Sequence, residues 1–290
     1  MFQKYFVLAI GVISVSFAAI FIRLAEAPPL VIAAYRLSLA SLIIVPITWV
    51  RSRKELIHLS RRNIMLALFS GVFLALHFGF WIASLSYTSV TTSVVMVTVS
   101  PIFVGLASYI LFQEKLTGQI FLGFALSLIG AVIIGYANWS MGPRPLFGGG
   151  LALLGALAVT GYLLIGRKLR PSIGLLSYVS LAYSSAAVLL LLTVFAFGYH
   201  LVGYPSTTYI MFVLLAIVPQ IIGHSSLNWS LRFISATLVT IAVLGEPILA
   251  TILAFLLLSE APTVSEIVGG FLILVGIFIA FRKSDMARGT

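Results

Sequence analysis

The sequence predicts an all-α polytopic membrane protein of ten transmembrane helices, arranged as two five-helix repeats of inverted topology. Three observations predict it: a composition too apolar for a water-soluble domain, ten apolar stretches of membrane-spanning length, and an internal match between the two halves of the chain. Of 290 residues, 61% are hydrophobic and only 8% are charged, whereas a soluble domain carries about 25% charged residues.

The apolar stretches run over Tyr5–Ile22, Pro29–Trp49, Asn63–Leu85, Thr91–Phe112, Gln119–Ala137, Gly148–Ile165, Gly174–Phe197, Thr208–Trp229, Thr237–Leu258 and Ser265–Phe281. At about 1.5 Å per residue, each reaches or nearly reaches across ~30 Å of hydrocarbon. The connections are short and leave no room for a soluble domain. Lys4, the first stretch and Ala25-Glu26-Ala27 also outline a secretory signal peptide. The stretch of about 18 residues exceeds the usual apolar core of ~7–15, however, and is read as the first spanning helix.

Positive charge sorts to the cytoplasmic side of membrane proteins. Alternating the segments puts fourteen Lys and Arg on the side holding both termini, and only Arg23 and Arg144 on the other; Arg36 lies inside the second segment. The bias predicts cytoplasmic N and C termini in a bacterial or archaeal cell membrane. It also accounts for the net charge of +10 without a nucleic-acid partner. The chain has no cysteine, which removes disulfides and thiolate metal sites. No cofactor and no metal are expected. No Gly-rich phosphate loop with a Lys is present, so ATP is not expected to drive the protein.

Sliding the sequence by 146 residues aligns Ser84–Ile134 with Ser230–Ala280 without a gap and with fifteen identities in 51 positions. Aliphatic identities weigh little here, so Ser89/Ser235, Thr91/Thr237, Pro101/Pro247, Glu114/Glu260, Gly123/Gly269 and Gly130/Gly276 carry the match. Gly11/Gly155 and Arg23/Arg167 match at an offset of 144. The repeats are expected at residues 1–142 and 143–290. Five is odd, so the second copy enters the membrane from the opposite face. That is the architecture of carriers that alternate around a central site.

Each copy has a mid-helix proline, then Glu114-Lys115-Leu116-Thr117 or Glu260-Ala261-Pro262-Thr263, then a pair of spaced glycines. In these signatures the chain resembles, over essentially its whole length, the EamA family of the drug/metabolite transporter (DMT) superfamily. The resemblance implies a ten-helix carrier and, less specifically, export of amino acids or other metabolites.

Ionisable residues at membrane depth are functional candidates. Glu246 is the deepest, about nine residues into the ninth segment. It reads either as a proton or substrate-amine site or as a protonated or Arg-paired strut. Pro247 follows it, and Pro101 stands at the matching place in the fourth segment. A proline removes a backbone donor and crowds the preceding turn, so both segments are expected to kink and act as hinges. Arg36 reads as a fork for a substrate carboxylate or as the structural partner of Glu246; Tyr35 is grouped with it. His77 and Trp81 share one helix face in the third segment, as do His224 and Asn228 in the eighth, at nearly equivalent repeat positions. Such polar stripes face a cavity or another helix, not lipid. Tyr162 of the sixth segment completes the candidate substrate contacts, with Glu246 as the proton-coupling candidate. The cavity is expected between helices one, three, four, six, eight and nine. Gly123, Gly130, Gly269 and Gly276 read as close contacts of the fifth and tenth helices, with each other or with a second subunit.

The expected function is secondary active or facilitative transport of small amphipathic solutes, amino acids first, by alternating access, with protons as the candidate coupling ion. The protein is expected to be a monomer or homodimer. A channel and a non-transporting scaffold stay open as alternatives. An enzyme is disfavoured: no H-E-x-x-H or G-x-S-x-G occurs, and one acid at the midplane is poor material for catalysis. Every Lys lies at a segment edge, leaving no buried amine for a retinal Schiff base.

Overall fold

A computed structural model describes residues 2–113, 117–137, 142–258 and 263–282. Among them lie ten helices long and apolar enough to cross a membrane. They are α1 Gln3–Leu24, α2 Pro29–Arg51, α3 Arg61–Ser84, α4 Thr92–Phe112, α5 Gly118–Tyr136, α6 Pro145–Leu169, α7 Leu175–Ala196, α8 Ser206–Ser230, α9 Ala236–Leu253 and α10 Val264–Phe281. Each overlaps its expected segment. The chief difference is α6, which runs from Pro145 to Leu169 rather than from Gly148 to Ile165. The described residues contain no strand. The fold is that of an all-helical, multi-pass membrane protein. The repeat-related acids Glu114 and Glu260 lie outside the described residues.

Local chemistry sets the helix starts. Pro29 and Pro145 open α2 and α6, where a proline's missing N–H leaves nothing unsatisfied. Ser89 accepts a hydrogen bond from Thr92 N at 3.0 Å, and Ser235 accepts one from Leu238 N at 3.3 Å. These caps are 146 residues apart, and each satisfies an orphan donor of the first turn.

The expected kinks of α4 and α9 fall at two-residue turns in which the backbone stays close to right-handed helical conformation. The first halves end at Val97 and Val243, and the second halves begin at Ser100 and Glu246. The break therefore precedes each proline instead of falling on it. Pro101 has no N–H for the carbonyl four residues back and its ring crowds that carbonyl, which ends the helix one turn earlier; Pro247 acts in the same way. In α9 the chain turns through tighter bonds, from Leu244 N to Ile241 O and from Gly245 N to Ala242 O. A further irregularity lies in α8, where Ala216–His224 form a π-helical stretch around Pro219.

The helices pack reciprocally: α3 on α6 and α1 on α8, with α2 against α7 and α5 against α10. A Cβ on Gly155 of α6 would lie 3.4 Å from His77 O and 3.2 Å from Trp81. One on Gly11 of α1 would lie 3.4 Å from Gly223 O and 3.1 Å from Leu227. Residues 77 and 223 are 146 apart, as are 81 and 227, so the two contacts fall at the same spacing along the chain. Between α5 and α10, Gly123 lies on the Gly276 carbonyl and Gly130 on the Gly269 carbonyl, closer than any Cβ allows. These glycines therefore join the two helices to each other.

The bundle has two ends. The basic face carries Arg53, Glu55, Arg167, Arg170 and Arg232; the opposite face carries Arg23, Thr88, Arg144 and Leu201.

Candidate functional site

In the middle of the bundle a cavity of about 60 Å³ is lined by Arg36, His77, Trp81, Ser100, His224 and Glu246, with apolar neighbours. Much of its wall comes in repeat-related pairs: Val15 with Val159, Trp81 with Leu227, Val97 with Val243, and Ser100 with Glu246. It lies where the two halves of the chain meet.

Arg36 is fully buried. Its Nε donates to Gln220 Oε1 at 2.9 Å, and its guanidinium lies 4.0 Å from the centroid of the Phe78 ring. Both terminal nitrogens, Nη1 and Nη2, have no hydrogen-bond partner among the described residues. The π-helical stretch of α8 supplies Gln220, as a π-bulge often does at functional sites. Glu246 is 6% exposed and opens the second half of α9, where the positive end of the helix dipole favours an anion. Its carboxyl accepts no hydrogen bond among the described residues. The expected structural pair of Arg36 with Glu246 is thus not formed. One cavity instead holds a buried base and a buried acid that act on each other through space without a direct ion pair, an arrangement that costs several kcal/mol at membrane depth.

The aromatic wall stands beside them. His77 Nδ1 donates to Gly155 O at 2.9 Å, which fixes the ring against α6. The His77 and Trp81 rings stack at 5.9 Å with 6° between planes. His224 lies 6.3 Å from His77 and 5.2 Å from Phe78. Trp81 Nε1 and His224 Nδ1 are buried without hydrogen-bond partners among the described residues. The cavity can therefore present donors from Arg36 and Trp81, one carboxyl group, and an aromatic face.

The other candidates stand away from the cavity. Asn228 Nδ2 donates to Tyr162 Oη at 2.5 Å and to His224 O at 2.6 Å, so these two residues brace one another on the basic-face side of His224. Ser70 Oγ and Tyr178 Oη share a hydrogen bond of 2.6 Å in the same layer. Tyr35 is remote: its hydroxyl donates to Leu201 O at 2.6 Å and its ring stacks on Phe212 at 4.3 Å, near the face opposite the basic one. Gln220, Ser70 and Tyr178 are polar participants that the sequence reading missed. Gln220 carried one signal, its place directly after Pro219 in an apolar run.

Toward the basic face the bundle is bound shut. Arg167 Nη1 donates to Leu231 O at 3.0 Å. Arg170 Nε donates to Asn228 O at 3.0 Å, and its Nη1 donates to Ile173 O. Burial, and after it the like charge of Arg232, pulls the Arg170 pKa down to about 10. It therefore stays charged at ordinary pH and is held by backbone carbonyls. Glu55 caps α7 through Gly174 N and Ser177 Oγ, at 2.5 and 2.6 Å. At the opposite face a cavity of about 400 Å³ is lined by Arg23, Ile82, Leu85, Thr88 and Gly142, among others.

A ten-helix bundle that encloses a polar cavity between two interrupted helices has the build of a membrane transporter. The chain belongs to the EamA-like transporter family, whose family model matches residues 3–136 and 146–282. It is similar to an uncharacterized transporter of Archaeoglobus fulgidus, 27% identical over 92% of this chain and 93% of the relative. It is also similar to an uncharacterized transporter of Clostridium kluyveri, 25% identical over 71% of this chain and 68% of the relative. A solved crystal structure shares the fold with a TM-score of 0.81 over 99% of both chains, at 16% identity.

Proposed function

We propose that this transporter moves small amphipathic metabolites, amino acids first, outward across the cell membrane by alternating access. The carrying observation is the pair of buried charges, Arg36 and Glu246, that share one cavity between two kinked helices without bonding directly to each other. A zwitterionic solute supplies both missing partners: its carboxylate meets Nη1 and Nη2 of Arg36, and its ammonium meets Glu246. In the empty carrier a proton on Glu246 replaces the ammonium, which couples transport to a proton gradient.

The reading takes residues 1–142 and 143–290 as two repeats of inverted topology, with the basic face and both termini in the cytoplasm. It is supported by the copied Gly11 and Gly155 contacts, the matched interruptions of α4 and α9, and the bias of basic residues to one side. His77 and Trp81 form the wall that accepts the solute's apolar part. Pro101 and Pro247 keep the half-helices separate, so that they move as hinged pieces.

The test is uptake of a panel of labelled amino acids into proteoliposomes, with and without an imposed pH gradient. Accumulation that collapses with the gradient is the expected result. Equilibration indifferent to the gradient makes the protein a facilitator and Glu246 a strut. If no amino acid moves, the substrate class is wrong.

A further inference from the structure

Arg23 and Arg167 occupy matching places at the ends of α1 and α6, at the offset of 144, but their surroundings differ. Arg167 donates to the carbonyl of Leu231, the residue that closes α8, and so joins the end of α6 to the end of α8 on the basic face. On the opposite face the corresponding residues are Arg23 and Leu85, the residue that closes α3; 85 and 231 are 146 apart. Both line the 400 Å³ cavity. The Arg23 guanidinium makes no hydrogen bond among the described residues. One face thus carries the bond, and the other carries the same two residues held apart around a cavity.

We infer that Arg23 and Arg167 are the two gate latches of a single cycle. The Arg167–Leu231 bond closes the basic face in the state described, and an Arg23–Leu85 bond closes the opposite face in the alternate state. The inference rests on the inverted-repeat, alternating-access reading above. The last carbonyls of a helix have no intrahelical partner and form the negative end of its dipole, so a guanidinium binds them readily. A hydrogen bond from a charged donor is strong enough to bias two states and weak enough to be broken in each turnover. The latches are not equal. Arg170 adds a second bond on the basic face, whereas its counterpart at the 144 offset is Glu26, which is no donor for a carbonyl.

The chain has no native cysteine, so single cysteines can report on each face without background. Val90 lines the open cavity and is half-buried, whereas Ala236, 146 residues on, is fully buried. With a water-soluble maleimide on purified protein, Val90→Cys is expected to label fast and Ala236→Cys slowly. Arg167→Ala is expected to slow the first and speed the second, each on the order of tenfold for one charge-assisted bond. Arg23→Ala is expected to shift both in the opposite sense. Where an alanine variant does not fold, the corresponding Arg→Lys variant is used, with the same signs and smaller shifts.

If labelling stays reciprocal but neither arginine shifts it, or both shift it the same way, the latch assignment is wrong while alternating access stands. If Val90→Cys and Ala236→Cys both label fast in the parent protein, the alternating-access reading itself fails, and the latches with it.

Discussion

Arg36 and Glu246 each stand out in the sequence as a charge inside an apolar run, but neither their surroundings nor their lack of contact can be read there. The guanidinium is oriented by Gln220, which reaches it only because α8 carries a π-helical stretch. That geometry depends on packing around Pro219 more than on periodicity. Tyr35 was misplaced for a simpler reason: successive residues of a helix point about 100° apart, so the neighbour of an inward-facing Arg36 faces elsewhere. Because Nη1 and Nη2 are unpartnered, Arg36→Gln removes them without stranding another buried group at that end. It is expected to raise KM roughly tenfold to a hundredfold, the worth of a charge-assisted fork, with the melting temperature little changed. Glu246→Gln is expected to abolish accumulation driven by a pH gradient while leaving solute exchange measurable; unaltered pH-dependent uptake would rule it out as the proton carrier. Trp81→Phe keeps the stack on His77 but removes the unpartnered Nε1, so it should weaken solute binding less than Trp81→Ala does. Equal losses in the two variants, measured as KM, would assign the effect to the indole nitrogen alone.

Helices were the most readable level, since length and hydropathy place ten spans almost unaided. Their interruptions were half-readable. The prolines at 101 and 247 announced a weak point, but steric conflict with the carbonyl four residues back moves the break ahead of the proline itself. Pro247→Ala restores the N–H and relieves that conflict, allowing α9 to run on. Turnover is expected to fall several-fold with affinity nearly unchanged, which a comparison of kcat with KM detects. The seam of α5 and α10 invites a different test. Gly276 faces both the Gly123 carbonyl and Ser127 with no space for a Cβ, so Gly276→Leu must separate the helices. Overpacking of this kind costs roughly 1–3 kcal/mol and should appear as a lower melting temperature in detergent.

At the level of the whole molecule, the case for a repeat rests on a few polar and glycine positions that keep their spacing across 146 residues. The central cavity was legible only as a list of helices. Which residues meet there depends on contacts between the halves, and no local pattern records those. Tyr162 and Asn228 show the limit: both were found as polar residues of the right helices, yet they bond to each other in the layer beside the site.

The size of the central cavity has one more consequence, for the membrane around the protein. A cavity of about 60 Å³, with Arg167, Arg170 and Glu55 binding the bundle shut on one side of it, forms no continuous column of liquid across the membrane. Vesicles containing this protein should therefore swell in osmotic shock no faster than protein-free vesicles and should keep an imposed proton gradient until a solute is added. Stopped-flow light scattering and an entrapped pH dye measure the two. A cell expressing many copies would keep its permeability barrier intact and lose only the molecules that the carrier recognises.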